Sequence, residues 1–247
     1  MIQGYYSAAG AMIAQQIRIN TISDNIANIN TDGYKRRQVA FEGALSSVYY
    51  NDDVGAGGAY RIGNGVVPAR DVTDMAQGPV DFTGEVLDLA IDGDGFFTLD
   101  DGSGRLVYSR GGSFALSHED GASYIVDSHG YYLLDTTLGR VTAGTDIAVL
   151  GSGAVIRGGS LAGYLRIVNA VRREELVPLG GGLYDIPPGA VTAEGTGAVM
   201  QGALERSNAD LTGEITSLIR AQRLFGLNSK VAQTIDEMKA TANSLRK

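Results

Sequence analysis

The sequence predicts a mainly β protein with α: an all-β central domain flanked by long N- and C-terminal helices that pair into a coiled-coil-like helical core. Three observations predict it. Apolar residues recur at helical spacing over the first thirty positions, and again over the last forty. Between them the pattern switches to short runs of apolar and β-branched residues broken by glycine-bearing turns. The expected division is residues 1–36 for the first helix, 37–205 for the β domain with a mobile loop near 51–65, and 206–247 for the last helix. Such an arrangement suits a subunit of an assembly.

At the N-terminus Tyr5, Ala8, Met12, Gln15, Ile19, Ile22, Ile26 and Ile29 follow a 3-4-3-4-3-4-3 spacing, a heptad seam with one polar member. A lone amphipathic helix commonly packs on its own domain. Here a second long seam at the far end offers a different partner. Asn28-Ile29-Asn30-Thr31-Asp32-Gly33 ends the helix by turn chemistry, with Gly33 suited to a left-handed C-terminal cap. Val39, Phe41, Leu45 and Val48 then mark a segment compatible with strand or helix. Asn51 to Gly65 is rich in Gly and Asp and reads as a mobile loop.

From Val66 to Val168 short strands are expected. Val86 to Ile91 alternates, with Leu87, Leu89 and Ile91 on one face, and the turn Asp92-Gly93-Asp94-Gly95 follows. Phe96 to Leu99, Leu106 to Tyr108, Tyr124 to Val126, Tyr131 to Leu134 and Tyr164 to Val168 continue the style. Turns around Gly180-Gly181-Gly182 and Pro187-Pro188-Gly189 precede Val199 to Leu204. The last segment has apolar residues at Leu211, Ile215, Leu218, Phe225, Val231, Ile235, Met238 and Leu245, with no proline. Ser207, Asn208 and Asp210 are alternative N-caps, and Glu214 in the first turn suits the helix dipole. A helix of this length is about 55 Å long and must find cover along much of it.

Composition narrows the function. No apolar run approaches the ~20 residues of a membrane-spanning helix. The first seventeen residues do not read as a cleavable signal peptide, so export by a route without one, or retention in the cytoplasm, is expected. There is no Cys, which excludes disulfides and thiolate metal sites. Residues 38–207 carry 10 basic against 22 acidic side chains, and the two ends 10 against 6. An acidic centre lacks the basic footprint of nucleic-acid binding.

Chemistry is sought and not found. Asp92 and Asp94 open what looks like a calcium loop, but Phe96 and Ser103 stand where oxygen ligands belong, leaving a turn. Gly111-Gly112-Ser113-Phe114-Ala115 lacks the second glycine of a nucleophile elbow. His118 and His129 sit in polar turns without metal-site spacing. No catalytic, cofactor or metal residue is assigned. A β-rich binding protein or enzyme, or a helper module serving one partner, stays as the alternative reading.

The ends then become recognisable. Ile22 to Arg36 resembles the N-terminal signature of flagellar axial proteins through Asn25, Ala27, Asn28, Asn30, Thr31, Gly33, Tyr34 and Lys35, with Asp24 where Asn is commoner. Gln201 to Leu211, Ala221-Gln222-Arg223 and Asn228-Ser229-Lys230 resemble the family's C-terminal blocks. Leu87 to Phe97 and Tyr108 to Phe114 are similar to its central ones. The chain is thus identified as resembling the flagellar basal-body rod family, with Asn228-Ser229-Lys230 and Asp236-Glu237-Met238 leaning to the distal-rod type over the proximal-rod or hook-like paralogues. The resemblance implies a structural subunit exported by the flagellar apparatus without a cleaved signal. It implies helical polymerisation into a hollow, torque-transmitting shaft spanning the periplasm, with other rod proteins, the hook protein and surrounding ring proteins as partners. No cofactor is implied. The subunit interface is expected at Tyr5, Met12, Ile19, Ile22, Ile26 and Ile29, with Leu211, Ile215, Leu218, Phe225, Val231, Ile235, Met238 and Leu245.

Overall fold

The computed structural model describes residues 2–50, 59–119, 121–144, 147–170, 172, 176–187 and 192–245. Residues 51–58, the first part of the expected mobile loop, lie outside them, as does Pro188-Gly189; Ala59–Ile62, within the loop's span, is strand. One helix lies at each end, α1 (Ile2–Ala27) and α2 (Leu211–Ser244), with strands between. The chain forms two units, one of Met1–Ala27, Arg37–Thr73 and Asp210–Lys247, the other of Asn28–Arg36 and Asp74–Ala209.

In the helical unit Asp210 proves to be the N-cap of α2: its carboxylate accepts from Thr212 N at 3.1 Å and Gly213 N at 3.0 Å. The Arg37–Gly43 strand runs antiparallel to Val66–Thr73, with a register break between Ala40 and Phe41, and Ser47–Tyr50 pairs with Ala59–Ile62. The segment that sequence left open between strand and helix is therefore strand. Near the start of α1, Lys239 of α2 places its ammonium 4.8 Å from the centre of the Tyr5 ring, a cation–π contact.

The expected coiled-coil-like helical core is not formed. The structure is mainly β-sheet, with a single helix at each end and β structure between. A coiled coil buries its seam, yet on α2 Ile215 is 43% exposed, Val231 50% and Met238 49%, and the C-cap Leu245 is 83% exposed. The residues α2 does bury are Ala221, Ile235 and the carboxylate-bearing Glu214. α1 packs against the Arg37–Gly43 and Val66–Thr73 strands as well as against α2, so its apolar surface is not given to one partner helix.

In the β unit the main sheet runs, edge to edge, through Val177–Gly180, Leu183–Asp185, Leu106–Ser109, Phe96–Asp100, Tyr132–Leu133, Ala122–Asp127 and Phe114–Glu119, with Ile167–Ala170 joining Phe96–Asp100 at its other end. Alternation along Phe96–Asp100 separates two cores. Phe97 and Leu99 enter the larger with Val107, Ile125, Leu133 and Val155; Phe96 enters the smaller with Tyr108, Val168 and Tyr184. Leu89, Ala90 and Ile91 are all buried, so the one-sided alternation read from Val86 to Ile91 gives way to a strand covered on both faces. This strand pairs with Ala198–Gln201, and Val80–Phe82 pairs with Ala203–Glu205.

Candidate assembly surface and the buried ion cluster

The N-terminal signature does local work first. Asn25, almost wholly buried on α1, brackets the backbone of Arg37: its Nδ2 donates to Arg37 O at 2.8 Å, and Arg37 N donates to its Oδ1 at 2.9 Å. Ala27 is the last helical residue and is exposed. Asn28 takes Thr31 N on its carbonyl at 3.1 Å and Thr31 Oγ1 on its side chain at 3.2 Å. Because α1 stops here, Ile29 lies beyond the helix, and Gly33 is not the helix cap that was expected. Gly33 does hold a left-handed φ of 70°. A Cβ there would also sit 2.3 Å from Gly111 N, so both conformation and space demand glycine.

Tyr34 and Lys35 are buried. The ammonium of Lys35 meets Glu205 Oε1 at 2.5 Å and Ala76 O at 2.8 Å. Arg110 Nε reaches the other oxygen of Glu205 at 2.6 Å, and Gly78 N donates to Oε1 at 2.9 Å. The rest of the Arg110 guanidinium is taken up by carbonyls of the 91–95 turn: Ile91 O at 2.9 Å, Gly93 O at 2.5 Å, and Gly95 O. That turn, dismissed as a calcium loop, aims its carbonyls at an arginine. Burial pushes the Lys35 ammonium below the ordinary lysine value, and the attraction of Glu205 only partly offsets it. Two cations, one anion and five backbone groups form one network, which joins the segment after α1 to the strand before α2. Its charges lie 95 and 170 positions apart, beyond any spacing argument, although each stands inside a block singled out from sequence.

A polar cleft of about 240 Å³ lies beside Asn30, Thr31 and Asp32, with Ser109, Asp127 and His129 among its walls. His129 Nδ1 is 3.0 Å from Asp127 Oδ2, but the same aspartate accepts His129 N and Tyr131 N through Oδ1, which makes it a turn clamp. His118 pairs with Ser123 Oγ at 2.7 Å on an exposed hairpin. Among the described residues no three His, Asp or Glu side chains converge to hold a metal.

The residues nominated for subunit contact are divided by the fold. Ile22 and Ile235 are buried within the chain. Met12, Ile19, Ile26, Leu218 and Phe225 are half-buried. Tyr5, Leu211, Ile215, Val231, Met238 and Leu245 face outward, joined by Tyr6, Ile13, Ile219, Leu224 and Leu227, which sequence reading did not nominate. Leu224, Leu227, Val231, Met238 and the C-cap Leu245 recur at 3, 4, 7 and 7, a stripe on one side of α2 that runs to its end.

Known proteins match in three places. Residues 6–35 match the family described as Flagella basal body rod protein, 90–156 the Flagellar hook protein FlgE/F/G D1 domain, and 200–245 the Flagellar basal body rod FlgEFG protein C-terminal. Over nearly its full length the chain is 34% identical to the Flagellar basal-body rod protein FlgG of Bacillus subtilis, covering 96% of this chain and 97% of that one. The FlgG of Agrobacterium fabrum is 37% identical, with 94% of each chain covered. This chain belongs to the flagellar basal-body rod protein family. The FlgG of Caulobacter vibrioides, 32% identical over 99% of this chain and 100% of its own, agrees. It is a structural rod protein, not an enzyme, and a component of the flagellar basal body. Each family-matched stretch supplies one member of the ion network: Lys35, Arg110 and Glu205. Among the described residues no helix is long and apolar enough to cross a membrane.

Proposed function

We propose that this rod subunit polymerises helically, copy upon copy, into a hollow shaft that transmits torque and passes later subunits. The observation that carries the reading is the apolar stripe of α2, left open within the chain at Leu224, Leu227, Val231, Met238 and Leu245. Apolar surface of this extent on one helix face marks an interaction surface. A head-to-tail contact repeated without closure builds a filament. The outward residues of α1, Tyr6 and Ile13, extend the surface available to neighbours. Other rod proteins and the hook protein are its partners along the shaft, ring proteins surround it, and the flagellar export apparatus delivers it without a cleaved signal. The distal-rod type is the reading favoured by Asn228-Ser229-Lys230 and Asp236-Glu237-Met238.

Electron microscopy of the purified chain under polymerising conditions tests this. Tubes or filaments that Leu227→Asp abolishes are expected. A monodisperse monomer in the wild type at every concentration tried counts against it.

A further inference from the structure

The two short strand pairs of the helical unit are pieces of one ribbon. Gly43 faces Val66, and Ser47 faces Ile62, four residues on along one strand and four back along the other. Both pairs therefore keep a single antiparallel register. The ladder is interrupted between them, at 44–46 and 63–65. Two hydrogen bonds hold the gap: Ala44 N donates to Gly65 O at 2.9 Å, and the side-chain Nδ2 of Asn64 donates to Leu45 O. The amide of Asn64 thus stands in for a ladder bond.

Asn64 is also the one asparagine of the chain that precedes a glycine. It is exposed, and Leu45 beside it is 90% exposed, so water and base reach the amide. Gly65 holds a φ of 99° and has no Cβ to shield its N–H. The bond from Ala44 occupies the carbonyl of Gly65 rather than that N–H.

We propose that Asn64-Gly65 is a self-modification site, at which the asparagine converts to aspartate and isoaspartate without an enzyme. Asparagine is among the thermally labile side chains. Gly65 N, its proton taken by base, attacks Asn64 Cγ, and the new N–Cγ bond closes a succinimide ring. The Cγ–Nδ2 bond breaks, and the proton returns through water to the departing ammonia. Water then opens the ring. Breaking the N–Cγ bond yields aspartate, and breaking the bond from Gly65 N to the Asn64 backbone carbonyl carbon yields isoaspartate; nothing is oxidised or reduced. Either product sets a carboxylate oxygen against Leu45 O where a donor had been, and isoaspartate also lengthens the backbone by a carbon. The outer pair, Ser47–Tyr50 with Ala59–Ile62, then loses its tie to the inner one.

The test holds the full chain in mildly alkaline buffer, digests it with trypsin and reads the peptides by mass spectrometry against a zero-time control. Peptide 62–70, released by cuts after Arg61 and Arg70, is expected to exchange NH2 for OH in two products that chromatography separates. The peptides bearing Asn169 and Asn208 are expected to keep their amides. If 62–70 keeps its amide through an incubation that converts the same peptide free in solution, the fold protects the site and the proposal fails. In fresh protein Asn64→Asp is expected to speed tryptic nicking after Arg61 about fivefold, as loss of one hydrogen bond in the closed ribbon predicts. Nicking at the wild-type rate in Asn64→Asp overturns the role given to the amide as the ribbon's tie.

Discussion

Glu205 shows how much one side chain decides here, because two buried cations depend on it. Glu205→Gln leaves Lys35 and Arg110 facing each other without an anion, and removing one partner of a buried pair costs about 3–5 kcal/mol. Lys35→Met is milder, since Arg110 and Gly78 N still hold Glu205. Urea denaturation checks the order, and a Glu205→Gln protein no weaker than Lys35→Met refutes it. The same lysine has a pH signature. Its folded pKa lies below 10.5 and its unfolded one at 10.5. Between the two the unfolded chain binds the proton and the native one does not, so its contribution to stability rises with pH through that window and is lost below the folded value. Wild type should therefore gain on Lys35→Met as pH climbs toward 10.5, and parallel stability curves would sink the assignment. Asn25→Ala strands both the N–H and the carbonyl of Arg37, at about 1–3 kcal/mol for a buried unpaired group.

At the scale of the element, α2 separates folding from assembly. Ala221 is buried within the chain and Leu227 is 56% exposed. Ala221→Asp places a carboxylate in a packed contact and is expected to lower the stability of the isolated subunit by several kcal/mol. Leu227→Asp is expected to change that stability by less than about 0.5 kcal/mol, as exposed sites do, while blocking polymerisation. Thermal melts of the monomer, read beside sedimentation under polymerising conditions, distinguish the two. Equal effects of both substitutions on the monomer would mean that the stripe is internal. Alanine at His118 and His129 should leave assembly intact, because one ring serves a hairpin and the other a turn clamp.

For the whole molecule, the two units differ in how much of their surface depends on neighbours. The β unit has two closed apolar clusters and the ion network. The helical unit leaves apolar stripes open, and an isolated helix draws little stability from itself. Limited proteolysis of the monomer is expected to remove the helical ends first and spare the β unit, with polymerisation protecting both ends. Ends as resistant as the centre in the monomer would contradict this.

Local pattern carried a good deal. The 3.6-residue period placed both helices, with α2 beginning at Leu211 as its first apolar residue suggested, and the signature blocks led to the family. Spacing could also argue against a calcium loop at Asp92, since that question is settled by neighbouring residues. It could not say which stripe of α2 turns inward. The helix carries more than one apolar stripe, and burial depends on what covers it, so the expected helical core failed while the helices stood. Gly33 was misread as a cap for a similar reason: glycine in a turn announces a left-handed residue, but only the approach of Gly111 says what it is for. The Lys35–Glu205–Arg110 network was beyond sequence altogether. Lys35 and Arg110 lie outside any strand and Glu205 ends the short strand Ala203–Glu205, so only the packing of the whole chain brings charges 95 and 170 positions apart within hydrogen-bond reach.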